Sequence, residues 1–322
     1  MRRLFCTCFL ISLFAVGSAL AQNWPAKPVR FILSQPPGTG PDIISRLLAD
    51  RLTKTWNQQV VIDNRGGGNN VIGSQVAARS ASDGYNYFFA TTAAVVINRY
   101  TFKSLPYDPE RDFVPVAMVA KTPFVLAVNA EVPAKTVAEL VALAKSQPGK
   151  LSFASDGSRG LAGMLGELLK SSAGIDIVHV PYGGSVQSIQ DTVVGRTQLT
   201  FQSSAPVAPF IKSGKLRALA VTVPERVPGM EDIPTLRETF PGFEYFGWYI
   251  VFAPAGTPAE PMARVNRDIG GLLHDKDIID KLASFGSVAE RTPGTPESLR
   301  AFMKLEMERW AHAVKVSRID PE

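Results

Sequence analysis

The sequence predicts an α/β fold, built as two doubly wound α/β lobes rather than as one layer. Three observations carry this. Short runs rich in β-branched and aromatic residues alternate along the chain with amphipathic stretches. Strand alternating with helix builds parallel sheets covered by helices on both faces. The chain has 322 residues, 45% of them hydrophobic, whereas one domain usually takes roughly 100–200 residues.

The N-terminus stands apart from this pattern. Met1-Arg2-Arg3 is a short basic head, residues 4–16 are mostly apolar, and residues 17–21 end in small side chains at A-x-A spacing. This is the layout of a secretory signal peptide, residues 1–21, cleaved after Ala21, and it predicts export. An uncleaved membrane anchor is the alternative. Cys8 lies too early, and lacks the small neighbours, for lipid attachment. Both cysteines, Cys6 and Cys8, fall inside this leader. The mature chain therefore has no disulfide, no thiolate nucleophile and no cysteine metal site. The full chain's 34 basic against 29 acidic residues give +5, and loss of Arg2 and Arg3 leaves the mature chain at +3. That mild excess suits a small anion but lacks the clustered basic face that nucleic acid requires. Beyond the leader, no segment approaches the ~20 apolar residues of a membrane span.

The elements follow in order. The strand-like runs are VRFIL (29–33), QVVID (59–63), YNYFFA (85–90), FVLAV (124–128), LSFAS (151–155), IVHVPY (177–182), LTFQS (199–203), LRALAVT (216–222) and GWYIVFAP (247–254). Helical periodicity runs over 41–56, 136–147, 163–174 and 185–195, then over 259–275, 277–286 and 296–317. Gly149, Gly174, Gly195 and Gly286 sit just past helical stretches, where a left-handed residue is wanted. Thr136 with Glu139 three residues on matches a capping box. Helical segments dominate the last quarter, which should pack around a finished sheet.

In such sheets ligands bind beyond the carboxyl ends of strands, where loops enter helix N-termini. QPPGTGPD (35–42) lies at one such junction. Pro36 and Pro37 fix the backbone, Gly38 and Gly40 allow close approach and positive φ, and Pro41 suits a first helical turn. The N–H groups around Thr39 can then face an anion, and Asp42 can accept an N–H bond or hold a water. A plain tight turn would use the same residues. ASDGSRGLAG (154–163) is a second junction: Ser155, Gly157, Ser158 and Gly160 offer hydroxyls and open N–H groups, and Arg159 a planar fork for a carboxylate. A surface ion pair is the commoner fate of such an arginine. HVPYGGSVQSIQD (179–191) is the third. Tyr182 can stack on a ligand or pack in the core, and Asp191 can pair with a ligand amine or stand exposed.

Several chemistries are excluded or disfavoured. DNRGGGNNVIGS (63–74) is followed by no Gly-Lys-Ser/Thr and is neither a Walker A loop nor a dinucleotide fingerprint. His179, His274 and His312 show no metal spacing, so no metal or cofactor is expected. DGSRG lacks the first glycine of a nucleophile elbow. A Ser158–His179–Asp191 triad exists on paper, but His179 sits in an apolar strand that suits the core, and no catalytic residue is assigned.

The order of motifs resembles one family. WPAKPVRFIL opens the mature chain; PPG…D (36–42), QVVIDNRGGGNNVIG (59–73), DGYNY (83–87) and LPYDPERDFVPVAMVA (105–120) follow; HVPYGG (179–184), IKSGKLRALAVT (211–222) and APAGTP (253–258) come later. Together these resemble the periplasmic substrate-binding proteins of tripartite tricarboxylate transporters, the Bug family, over nearly the whole mature chain. The resemblance implies a fold like the type II periplasmic binding proteins, with a hinge crossed near residues 122 and 245. Lobe one is then 22–122 with 245–322, and lobe two is 123–244. It implies a monomeric binding protein, not an enzyme, that closes on a small di- or tricarboxylate and delivers it to membrane transporter subunits.

The loop reading and that resemblance together give the expected ligand-binding residues: Gln35, Pro37, Gly38, Thr39, Asp42, Ser155, Gly157, Ser158, Arg159, Gly160, Tyr182 and Asp191, with Gln35 and Arg159 as a relocated anchor. The chain departs from the family pattern at Ser34-Gln35 and Thr39. Arg159-Gly160 stand for the usual Gly-Ser/Thr, Gly163 for a histidine and Gly183 for a lysine. Lost bulk at 160, 163 and 183 leaves room for a larger or flatter solute, such as an aromatic dicarboxylate. Two other readings are an exported serine hydrolase using Ser158, and a ligand-sensing subunit of a signalling system.

Overall fold

A computed structural model describes residues 24–227, 229–317 and 321; the leader, its cleavage after Ala21 and both cysteines lie outside them. Along the chain come β1 (Val29–Leu33), α1 (Gly40–Trp56), β2 (Val60–Asn64), α2 (Val71–Ala78), β3 (Asn86–Thr91), α3 (Asn98–Thr101), α4 (Pro109–Asp112) and β4 (Phe113–Thr122). Next are β5 (Phe124–Asn129), α5 (Val137–Ser146), β6 (Ser152–Ser155), α6 (Leu161–Ala173), β7 (Val178–Pro181), α7 (Ser185–Val193), β8 (Leu199–Ser203), α8 (Ser204–Lys212), β9 (Leu216–Val221) and α9 (Leu236–Thr239). The last elements are β10 (Gly247–Pro254), α10 (Ala259–Leu272), α11 (Lys276–Ser284), β11 (Val288–Ala289) and α12 (Pro296–Val316).

The strands form two sheets, in the orders β11-β4-β10-β3-β1-β2 and β7-β6-β8-β5-β9. Each sheet is wrapped by helices, so the molecule is two α/β lobes. The chain passes from the first sheet to the second at Pro123 and returns between β9 and β10. Buried Thr222 ties these crossings together. Its hydroxyl accepts from the Phe124 N–H (3.1 Å), its N–H donates to Phe124 O (2.9 Å), and its carbonyl accepts from the Tyr245 N–H (3.2 Å).

The sheets are mixed, not purely parallel as the alternation suggests. β1 pairs parallel with β2 and β3, and β6 with β7 and β8. By contrast β10 runs antiparallel to β3 and β4, and β5 antiparallel to β8 and β9. The antiparallel strands are those that carry the chain between lobes, so they enter each sheet from the hinge side. The central strands are covered on both faces, and Phe31, Ile32, Phe88, Phe89 and Ile250 are fully buried. That explains their near-continuous apolar runs. Each such side chain contributes roughly 1.5–3 kcal/mol by leaving water.

Local signals mostly act as expected. Gly149, Gly174, Gly195 and Gly286 all have positive φ. Thr136 accepts from the Glu139 N–H (3.1 Å). The Glu139 carboxylate reaches one residue past the reciprocal position, to the Lys135 N–H (2.6 Å).

A cavity lined by uncapped helix starts

A cavity of about 350 Å³ lies between the lobes. Lobe one supplies the turn around Thr39 and Gly40, the loop 67–70, Thr91–Ala93 and the start of β10. Lobe two supplies Phe124, Asp156, Gly160–Leu161, Tyr182–Ser185 and Gln202–Ser203. Every strand-to-helix junction singled out in the sequence therefore reaches this cavity.

Helix capping divides sharply here. The N-caps of α1, α2, α6, α7 and α8 are Thr39, Asn70, Gly160, Gly184 and Ser203. All five residues line the cavity, and none caps its helix with a side-chain hydrogen bond. Thr39 instead donates its hydroxyl back to Pro36 O (2.8 Å). Away from the cavity, Thr136, Asp275 and Thr295 cap α5, α11 and α12 through their side chains. Among the described helices of eight residues or more, α10 is the exception, uncapped and elsewhere. A helix start leaves N–H groups without intrahelical partners and carries a partial positive charge. Five such starts on one cavity make a site for anionic groups. Among the described residues, no Lys, Arg or His lines it.

Unpartnered polar atoms gather at the same place. Ser34 Oγ, Gln35 Oε1, Asp156 Oδ1 and Ser185 Oγ are buried without a hydrogen-bond partner, and all four residues line the cavity. Ser34 and Ser185 are only 1% and 6% exposed. Such groups carry a desolvation penalty of about 1–3 kcal/mol each unless something meets them.

The wall residues are held by their neighbours. Gln35 Nε2 donates to Asn70 Oδ1 and Thr91 Oγ1, both at 2.9 Å. Tyr182 donates its hydroxyl to Asp191 (2.9 Å), which also accepts from Arg196 (3.0 Å). Trp248 donates its indole N–H to buried Glu306 (3.0 Å). Burial pushes the Glu306 carboxyl above its ordinary range, against the pull of Arg309 and the indole. Burial pushes Asp156 up to about 6, although its own N–H and nearby His179 pull it down. Tyr249 is pushed up to about 12, by burial first, with Asp156 adding to it against a hydrogen bond involving Thr122.

Of the residues expected to bind ligand, Gln35, Thr39, Gly160 and Tyr182 line the cavity. The others stand behind it. Asp42 accepts from the Gly38 N–H (2.9 Å), Arg46 and Asn64. Burial works against its charge, yet these bonds hold its carboxyl below the usual range. The amide of Gly38 is thus spent inside the loop, and Pro37 and Gly38 face solvent. Asp191 braces Tyr182. Gly157 packs on Asn69 across the lobe boundary: a Cβ there would lie 2.4 Å from Asn69 Oδ1. Arg159 Nε donates to Thr101 O (2.8 Å), again from lobe two to lobe one. Gly163 does not enlarge the cavity either, because a Cβ there would meet Gly157 O at 2.6 Å and Ser158 O at 2.9 Å.

The paper triad of Ser158, His179 and Asp191 does not assemble. His179 faces Ser155 Oγ (2.7 Å) through Nε2 and Glu167 (3.3 Å) through Nδ1, and stacks on Phe153. Ser155 is fully buried, donates to Gly157 O (2.8 Å) and lies off the cavity lining. This Ser155–His179–Glu167 contact joins β6, β7 and α6, and no sequence spacing signals it because Glu167 sits on another element. The residues most clearly missed are Asp156 and Ser185. The absence of a capping side chain at Gly160 and Gly184 was their one available signal.

Two α/β lobes meeting over a cavity of free helix starts define a solute-binding receptor of the periplasmic type. The comparisons name the family. A model described as "Tripartite tricarboxylate transporter family receptor" matches residues 44–316, and the chain belongs to that family. A UPF0065 protein from a tcbD-tcbE intergenic region of Pseudomonas sp. is 35% identical, over 92% of this chain and 88% of the relative. Protein BugT of Bordetella pertussis is 33% identical, over 92% and 90%. Among solved structures, an R. palustris protein with adipate superposes with a TM-score of 0.89, at 31% identity over 93% of this chain and all of that one. MatC from Rhodopseudomonas palustris with bound malate gives 0.84, at 27% identity over 90% and 99%. Among the described residues, no helix is long and apolar enough to cross a membrane.

Proposed function

We propose that this chain captures a small di- or tricarboxylate between its lobes and hands it to the membrane subunits of a tripartite transporter. The observation that carries the reading is the set of five uncapped helix starts on one interlobe cavity. A carboxylate oxygen accepts two or three N–H groups at such a site without any cationic side chain. The worth of each helix start is about 0.3–1 kcal/mol, rising toward ~2 when partly buried. Structures of relatives with adipate and malate support the ligand class. The direct ligand contacts are Gln35, Thr39, Gly160 and Tyr182, joined by Ser34, Asn70, Ser185 and Ser203. Asp42, Gly157, Arg159 and Asp191 shape and close the site.

The lobes divide as 22–122 with 245–322 and 123–244, and closure is favoured by whatever contacts the solute adds across the cleft. Export with cleavage after Ala21 places the mature chain in the periplasm as a monomer. A flat, aromatic dicarboxylate is a second reading. Gly183 leaves open space, and Phe124, Tyr182 and Trp248 supply ring walls. Calorimetry of the exported protein against succinate, adipate, citrate and phthalate tests both. One-to-one binding of an aliphatic or aromatic member is expected; silence across the whole panel overturns the proposal.

A further inference from the structure

We infer that the solute carries a protonated amine as well as carboxylate, and that Asp156 is the residue that selects for it. The inference deepens the proposed function and rests on it. A carboxylate can only accept hydrogen bonds, and the helix starts and serine hydroxyls meet it fully. The cavity nevertheless presents two orphaned acceptors, Asp156 Oδ1 and Gln35 Oε1. The Gln35 amide is oriented by the two bonds from its Nε2, so its oxygen is the atom left over. An ionised Asp156 and the Gln35 oxygen have no hydrogen to donate to a plain dicarboxylate. An ammonium or amine N–H satisfies both.

Charge points the same way. Among the described residues, Asp156 is the one carboxyl group on a lining without Lys, Arg or His. Its position beside the start of α6 suggests a simpler role as a cap, but no side chain caps that helix. Beside a solute that is only anionic, an ionised Asp156 repels it. Beside a zwitterion it supplies a charge-assisted bond, about twice as strong as a neutral one. Burial raises the proton affinity of Asp156 even with its own N–H and His179 nearby, so a solute cation would relieve its charge further.

The test pairs solutes that differ only in the amine: L-aspartate against succinate, L-glutamate against glutarate, with putrescine as an amine without carboxylate. Calorimetry at pH 7.5 on the exported protein and on Asp156→Asn is expected to show the amino member of a pair binding at least tenfold tighter. In the variant that preference collapses, while the plain dicarboxylate binds as well or better. Asp156→Ser gives the same reading if the amide variant folds poorly. A wild-type protein that prefers the plain dicarboxylate, or a preference for the amine untouched by either substitution, overturns the inference and leaves the proposed function standing. Binding of putrescine alone, lost in Asp156→Asn, supports the Asp156 assignment but overturns the carboxylate reading. No binding by any member overturns both.

Discussion

Asp156 and Gly183 show how single residues set this cavity. For Asp156 the sign of the pH effect is fixed by its raised proton affinity, about 6 in the fold against 3.8 in the open chain. The folded state then binds the proton more tightly, so its contribution is fully present below about pH 4 and lost as pH rises through 6. Asp156→Asn removes that loss. Its melting temperature should match the wild type at pH 4 and exceed it at pH 7, by the equivalent of about 1–3 kcal/mol. Equal melting at both values in a denaturation series would refute it. At Gly183 nothing lies within 4 Å of an added Cβ. Gly183→Lys puts a cation on the cavity lining, and should tighten adipate or succinate about tenfold, the scale of a charged hydrogen bond. The resemblance read from the sequence drew attention to Gly183. It did not reveal that Asp156 stands unpaired, because orphaning is a property of three-dimensional neighbours.

Among the elements, α6 is the one whose placement most affects the site. Its start lines the cavity at Gly160 and Leu161, and its inner face rests on β6 through glycines. A Cβ at Gly166 would lie 2.0 Å from the buried Phe153 ring. Gly166→Ala must therefore push α6 outward, with an expected loss of roughly 1–3 kcal/mol from overpacking, read from the urea midpoint. An unshifted midpoint would show that the helix yields freely. The same packing explains a misreading: Gly163 looks like lost bulk in the pocket when only spacing is available, and proves to be a close-approach residue. Strand and helix runs such as VRFIL and GWYIVFAP were legible because apolar continuity matches burial on both faces. β4 was not, since Pro115 interrupts its run and FVLAV follows at once. α8 was hidden by Pro206 and Pro209, one of them inside the helix. Strand direction was invisible too, because an antiparallel strand in a covered sheet has the same apolar pattern as a parallel one.

For the molecule as a whole, the contacts that bridge the lobes govern capture. Arg159 reaches from the β6–α6 junction to Thr101 O, with its guanidinium 5.8 Å from the Phe102 ring. The sequence suggests a direct grip on a carboxylate; with its Nε bonded to Thr101 O across the lobe boundary, we propose that it also clasps the lobes together. Arg159→Ala should raise the dissociation constant for a bound dicarboxylate about five- to tenfold, the effect of losing one such bond. Small-angle scattering should show the ligand-free variant larger than the wild type. Arg159→Lys should not rescue it, because an ammonium lacks the planar fork. Unaltered scattering and affinity together would remove the clasp.

The seat of β10 between β3 and β4 has a consequence for how this protein comes into being. Residues 29–122 emerge first from any exporting channel, yet they hold two strands whose shared neighbour has not been delivered. Both edges stay bare until residues 247–254 arrive, by which time the intervening lobe has all its strands. Assembly is therefore out of step with emergence: the middle of the chain is finished before its beginning, and the tail acts as the keystone. A chain halted before residue 245 would present raw strand edges to its neighbours, the ordinary starting point for aggregation.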